Sequence, residues 1–234
     1  MVRNPVILLS ILAALASSSA CGGLFGYRGE AIEGRVIDAA TKQPLAGVIV
    51  VARWNLVDVL HGGDYGNLHL EETVTAADGS YRFAAWGPRW GSLWAMHDDR
   101  SPWLYFFWQG YQRYSANNVD ESYKPGPLSN PRQSRWNGVV VELRQLADPE
   151  IDARVSIRAF ETILTGDDGC AWQKVPRLAA LALRHPDPQI RAKLPTLDWL
   201  WRGEPSLQQI KSPDRDPEGH KRCADPRIVL KEFL

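Results

Sequence analysis

In several short runs between residues 31 and 146 apolar and polar side chains alternate at the period of a β-strand, and this alternation constrains the fold more than any other feature. The stretch EGRVIDAATKQPLAGVIVVARW from Glu33 to Trp54 holds two β-branched runs around a polar segment containing Thr41, Lys42, Gln43 and Pro44. In the first run Ile32, Gly34 and Val36 alternate with Glu33, Arg35 and Ile37; in the second Val48, Val50 and Ala52 alternate with Ile49, Val51 and Arg53. Residues two apart share a face of a strand, so each run can turn one face to a core. Leu70 to Ala77 and Ser80 to Trp86 flank Asp78-Gly79. Such a pair between alternating runs predicts a hairpin, since glycine adopts positive φ without steric cost. Trp103 to Trp108 reads as a strand apolar on both faces, Gly138 to Arg144 as the last strand, and Ser115 to Arg135 as a long surface loop without apolar period. Six or seven strands with no helix between them predict an antiparallel β-sandwich over 31–146.

Several of these residues fall into a pattern. Gly34-Arg-Val-Ile-Asp38, Thr41, Pro44-Leu45, Gly47-Val-x-Val50 and Thr75-x-x-Asp78-Gly-x-Tyr81-x-Phe83 together resemble the carboxypeptidase regulatory-like domain, a transthyretin-like sandwich, over residues 31–112. Trp108-Gln-Gly110-Tyr111 is similar to the Gly-Tyr that ends a late strand in such domains. The resemblance implies a non-catalytic appendage of the kind carried by peptidases, transporters and surface proteins, with no catalytic residue to transfer. The aromatic stretch 86–114 and everything after 146 depart from it.

The amino end reads as an address. Arg3 precedes eleven residues, Val6 to Ala16, interrupted only by Ser10, and then Ser17-Ser-Ser-Ala-Cys21-Gly-Gly. This is the order of a signal peptide: charge, short apolar run, small residues. Eleven residues make about 16 Å of helix, roughly half a bilayer core, which disfavours a permanent span. Ser18-Ser19-Ala20-Cys21 resembles the bacterial lipoprotein box, in which the Cys is lipidated and becomes the new amino terminus. Ser18 stands where such boxes usually carry Leu, and Ser18-x-Ala20 would equally serve ordinary signal peptidase. The favoured expectation is a signal peptide over 1–20, lipidation (palmitate) at Cys21 and a linker over 21–30; a secreted or soluble periplasmic protein is the alternative. The resemblance further implies sorting by the residue after the Cys, and Gly22 is not the Asp that retains lipoproteins in the inner membrane. An outer-membrane lipoprotein facing the periplasm is expected.

After Leu146 the period changes. Asp148-Pro-Glu opens a helical pattern through Ile151, Val155, Ala159, Phe160, Ile163 and Leu164, and a second follows through Trp172, Val175, Leu178, Ala179, Ala182 and Leu183. Shorter helical pieces are expected at Leu197 to Arg202 and Pro226 to Leu234, with a solvated linker over 212–222, so 147–234 reads as a small helical region. If Cys21 carries lipid, Cys170 and Cys223 remain as an even pair in an oxidising compartment and are expected to form a disulfide.

Chemistry is harder to find. Basic and acidic residues balance at 27 each, which excludes a polycation built for nucleic acid. His61-Gly-Gly-Asp64, His69 and Glu71 or Glu72 form the one concentration of metal-ligand types, and a periplasmic metal-dependent hydrolase centred on His61 and His69 is the remote alternative. A glycine-rich loop does not hold such ligands in convergence, and two Cys without close neighbours do not make a zinc site. His97-Asp98-Asp99-Arg100 reads as a solvated turn, and Ser101 and Ser134 lack a nucleophile-elbow pattern. No catalytic residue, metal or cofactor is assigned. Twelve aromatic residues lie between Tyr81 and Tyr114. Trp86, Trp90 and Trp94 fall on a loop by virtue of Gly87, Pro88 and Gly91, and with Trp103 they are the candidate binding residues, for a glycan or an envelope protein. Either the helical tail covers the apolar strand 103–108 or its rings form an exposed platform. The expected function is a non-catalytic envelope lipoprotein with a binding or assembly module, or else a glycan-binding module.

Overall fold

A computed structural model describes residues 26–90, 95–119, 134–146, 163, 170–184 and 224–234. The signal segment, Cys21, Trp94, Cys223, most of the 151–164 helix and the pieces at 197–202 and 212–222 lie outside the described residues.

The chain is mainly β. Ten strands are described: β1 (Tyr27–Gly29), β2 (Ile32–Asp38), β3 (Ile49–Asp58), β4 (Asp64–Val74), β5 (Ser80–Phe83), β6 (Trp86–Arg89), β7 (Ala95–His97), β8 (Trp103–Phe107), β9 (Tyr114–Ala116) and β10 (Val139–Leu143). They form a three-stranded sheet in the order β10-β2-β5, a five-stranded sheet in which β4-β3-β8-β9 is completed by β7 against the end of β3, and a β1-β6 pair. The expected six or seven strands undercount, because three-residue strands carry too few positions to show a period.

Alternation decides which faces meet. Ile32 and Val36 from β2, Tyr81 and Phe83 from β5, and Val141 and Leu143 from β10 share one buried cluster with Val50, Ala52 and Trp54 from β3 and Leu104 and Phe106 from β8. Residues from both sheets thus line the same core. The other face of β3 and β8 is buried as well. Val51, Leu70 and Phe107 join a second cluster with Ile163, Trp172, Val175, Leu178, Ala179, Ala182 and Leu230 of the tail. The tail is therefore the cover that the doubly apolar strand requires. Its described pieces are a 3-10 turn (Ala171–Lys174), α1 (Pro176–Leu183) and α2 (Pro226–Val229).

Three expectations are corrected. Asp78-Gly79 does reverse the chain, with Gly79 at φ 78°, but it makes a corner between sheets and no hairpin. β4 pairs with β3, whereas β5 pairs with β2, Gly34 opposite Tyr81 and Ile32 opposite Phe83. Val36 N donates to Gly79 O at 2.8 Å, and a Cβ on Gly79 would come 2.4 Å from Val36 O, so the corner is seated directly on β2. A second correction concerns β10, which runs parallel to β2; Gly138 N donates to Glu33 O and Glu33 N to Asn137 Oδ1, setting that register. Third, two stretches read as loop contain strands. Tyr114–Ala116 pairs with β8, and Trp86–Arg89 pairs with β1 because Gly29 lets the Trp86 indole lie where a Cβ would stand 2.1 Å from Nε1.

Candidate functional site

β6 carries the residues of most interest. Its pairing with β1 and the pleat of β3 and β4 bring Trp86 against Trp54 and His69. The Trp54 and Trp86 rings meet edge to face at 5.3 Å between centroids, and His69 lies tilted between them at 5.2 and 4.7 Å. His69 Nε2 approaches Glu71 Oε2 at 3.2 Å, and the Arg89 guanidinium lies 5.8 Å from the Trp86 centroid. Burial between two indoles disfavours the imidazolium, and the positive charges of Arg89 and Lys174 oppose it further, so His69 is pulled down to about 4. Burial also raises the Glu71 carboxyl, with Arg89 opposing. At neutral pH the His69–Glu71 contact is thus a hydrogen bond from a neutral ring and no ion pair.

Among the described residues, the candidates Trp86, Trp90 and Trp103 do not converge into one platform. Trp86 is half-buried in this cluster, its Nε1 without a hydrogen-bond partner. Trp90, the residue after β6, is 66% exposed. Trp103 lies on β8 opposite Arg53, half-buried, its ring stacked on Tyr105 at 6.4 Å. Because Tyr105 and Phe107 pack against the tail cluster, the outer face of β8 is covered and is no open aromatic platform. Cys170 is half-buried at the entrance to the 3-10 turn and packs against the same cluster; Cys21, Trp94 and Cys223 lie outside the described residues.

The metal-ligand types also separate. His61 is exposed on the loop between β3 and β4, bonded to Asp58; Asp64 holds Arg53 at 2.7 Å; His69 is enclosed by the two Trp. Glu72 faces the tail, accepting from Arg177 N and Leu178 N at 2.8 and 3.1 Å. Among the described residues no three His, Cys, Asp or Glu gather into a group that could hold a metal. Further along, the His97 ring stacks on Tyr27, Asp98 is buried and paired with Arg100, and Ser101 Oγ accepts from Asn55 N. The 97–100 turn is therefore more enclosed than a solvated turn, although its groups go to separate partners.

Two arrangements escaped the sequence. Arg53 is almost fully buried on the outer face of β3, held by Asp64 and by Asn67 Oδ1, with the Tyr105 hydroxyl at the same guanidinium. The Trp54–His69 pair was equally hidden. A strand register of Arg53 against Leu70 and Trp54 against His69 would have revealed both, but register is a tertiary quantity.

Neither a known protein family nor a curated protein matches the chain. Among solved structures it is similar to a streptococcal ancillary pilin (14% identity, TM-score 0.26, over 52% of this chain and 30% of that one). It is also similar to the group B streptococcus pilus 2b backbone protein (15%, 0.26, 51% and 42%) and to catechol 1,2-dioxygenase from Pseudomonas arvilla C-1 (15%, 0.31, 54% and 55%). The chain thus spans between 30% and 55% of the length of these structures, and likeness of this degree carries no functional argument.

Proposed function

We propose that this chain is a non-catalytic lipoprotein of the bacterial cell envelope, anchored in the outer membrane by lipid on Cys21 and carrying a transthyretin-like β-sandwich as a binding or assembly module. The observation that carries the binding reading is Trp90, a large apolar ring 66% exposed at the residue after β6, next to Arg89, which pairs with Tyr27 of β1. An indole offers a large apolar face with few rotamers to order, which is how aromatic residues serve recognition. The sandwich reading draws on the core shared by the two sheets. The anchor reading draws on the sequence before Gly26, and no helix among the described residues is long and apolar enough to cross a membrane. The same Trp90 favours the second reading, a glycan-binding module in which a sugar ring stacks on the indole.

One experiment addresses anchor and module together. Cells expressing the wild type, Cys21→Ala and Trp90→Ala are labelled with radioactive palmitate, and each protein is used in glycan, peptidoglycan and envelope-protein pull-downs. The expected result is label in wild type and Trp90→Ala, none in Cys21→Ala, and at least tenfold weaker capture by Trp90→Ala, equivalent to about 1.4 kcal/mol. Label retained in Cys21→Ala would refute the anchor, and unchanged capture by Trp90→Ala would move the site away from Trp90.

A further inference from the structure

One end of the molecule is apolar and open. β3 and β4 run beyond the β8 pairing into a loop where Leu60 is 73% and Val59 48% exposed. The loop is braced: Leu60 N and His61 N donate to Asp58 Oδ1 at 2.7 and 2.8 Å, and Gly62 N donates to Asp58 O. Leu60 is therefore held outward by a hydrogen-bonded turn. β7 pairs along the same end of β3, setting Met96, 54% exposed, opposite Val57. Tyr27 of β1 stacks on His97 of β7 at 5.4 Å and pairs with Arg89, the residue before Trp90. Val59, Leu60 and Met96 are thus exposed at the end of the β3-β4 hairpin, which β1, beside the first described residue Gly26, joins through the Tyr27–His97 stack.

We infer that this apolar end is a membrane-contact surface that rests in the interface of a phospholipid bilayer. The occupant follows from the chain before it. Cys21 lies five residues before Gly26, and five residues reach at most about 17 Å. A lipid on Cys21 accordingly draws this end of the molecule to the bilayer. Exposed Arg28 and Arg89 on the paired strands supply cations for phosphate headgroups, while the exposed Val59, Leu60 and Met96 side chains suit the headgroup–acyl boundary. The tether in this argument rests on the lipoprotein reading above; the exposed side chains do not.

The test uses the full chain. Leu60→Cys and, on the outer face of the three-stranded sheet, Val140→Cys are labelled with an environment-sensitive thiol dye and mixed with phosphatidylethanolamine–phosphatidylglycerol vesicles bearing doxyl quenchers in the acyl region. The unsubstituted chain reports background labelling, and palmitate incorporation at Cys21 is measured on the same preparations. The inference expects the dye at 60 to shift to the blue and to be quenched at least threefold more than the dye at 140, with Leu60→Asp/Met96→Asp lowering the vesicle-bound fraction of Cys21→Ala protein at least fivefold. Equal quenching at 60 and 140 on vesicle-bound protein, or Cys21→Ala protein that stays in solution, overturns it. Strong quenching at 60 in protein without palmitate supports the surface and removes the lipid anchor instead.

Discussion

His69 shows how a single residue takes its properties from the register that encloses it. Its neutral form is favoured by burial first and by Arg89 and Lys174 second. The unfolded chain binds a proton near pH 6.5, while the folded chain refuses it until about 4. Between those values the unfolded state holds more protons, so this residue's contribution to stability falls as pH falls and is fully lost near pH 4. Discounted for partial solvent screening, the loss is on the order of 1 to 2 kcal/mol. The raised carboxyls of Glu71 and Glu72 act in the opposite direction, so the informative quantity is a difference. Urea unfolding of wild type and His69→Gln from pH 7.5 to 3.5 is expected to show the wild type losing relative stability between 6.5 and 4; parallel curves would contradict it. Asp38 titrates below that window. The Tyr111 hydroxyl at 2.6 Å, then the Thr41 and Ala40 amides, hold its carboxyl far below the usual carboxylate range. The Gly110-Tyr111 pair noted in the sequence thereby ties the chain after β8 to the end of β2.

At the scale of elements, α1 has no capping residue of its own. Val175 precedes it without a side-chain cap bond, and Pro176 removes one orphan donor. The next two amides are satisfied by Glu72, reaching from β4 with its side chain almost fully buried and its carboxylate also 3.5 Å from the Arg177 guanidinium. Burial raises this carboxyl more than the two amides and Arg177 lower it, so the cap carries a desolvation cost. The amides would be left unpaired in an apolar contact without it. Glu72→Ala is expected to cost about 1 to 2 kcal/mol and to speed amide exchange in Ala179–Ala182 while leaving β2 protected. Exchange unchanged in α1 would mean that packing alone holds the helix.

For the whole molecule, the decisive contact is between sheet and tail. Trp172 is fully buried and α1 lays Leu178, Ala179 and Ala182 on Val51, Leu70 and Phe107. Leu230, at the end of α2, is buried in the same cluster, so the described parts of the tail, 170–184 and 224–234, meet over β3 and β8. This convergence bears on the proposed Cys170–Cys223 bridge, which would close a loop of 52 intervening residues onto the cluster. Cys170 is engaged, not free, and Cys223 stands three residues before Pro226 of α2. Non-reducing peptide mapping is expected to recover one linked 170/223 peptide, and Cys170→Ser to lower stability by about 2 to 4 kcal/mol. Two alkylatable thiols in protein taken from the envelope would sink the bridge.

What the sequence determined by itself is local: the alternation that makes strands of 32–38 and 49–58, the reversal at Asp78-Gly79, and the helical period through Leu178, Ala179 and Ala182. These follow from backbone sterics and side-chain spacing, which act over a few residues. Only the tertiary structure decided which strands pair, because partner and register depend on distant faces: β5 went to β2 and not to β4, and β10 joined β2 in parallel. It also decided the fate of the tryptophans. Equal candidates on paper, Trp86 is half-buried against His69, Trp103 is half-buried opposite Arg53 and Trp90 stands in solvent, since burial is a property of what packs on a residue and not of the residue.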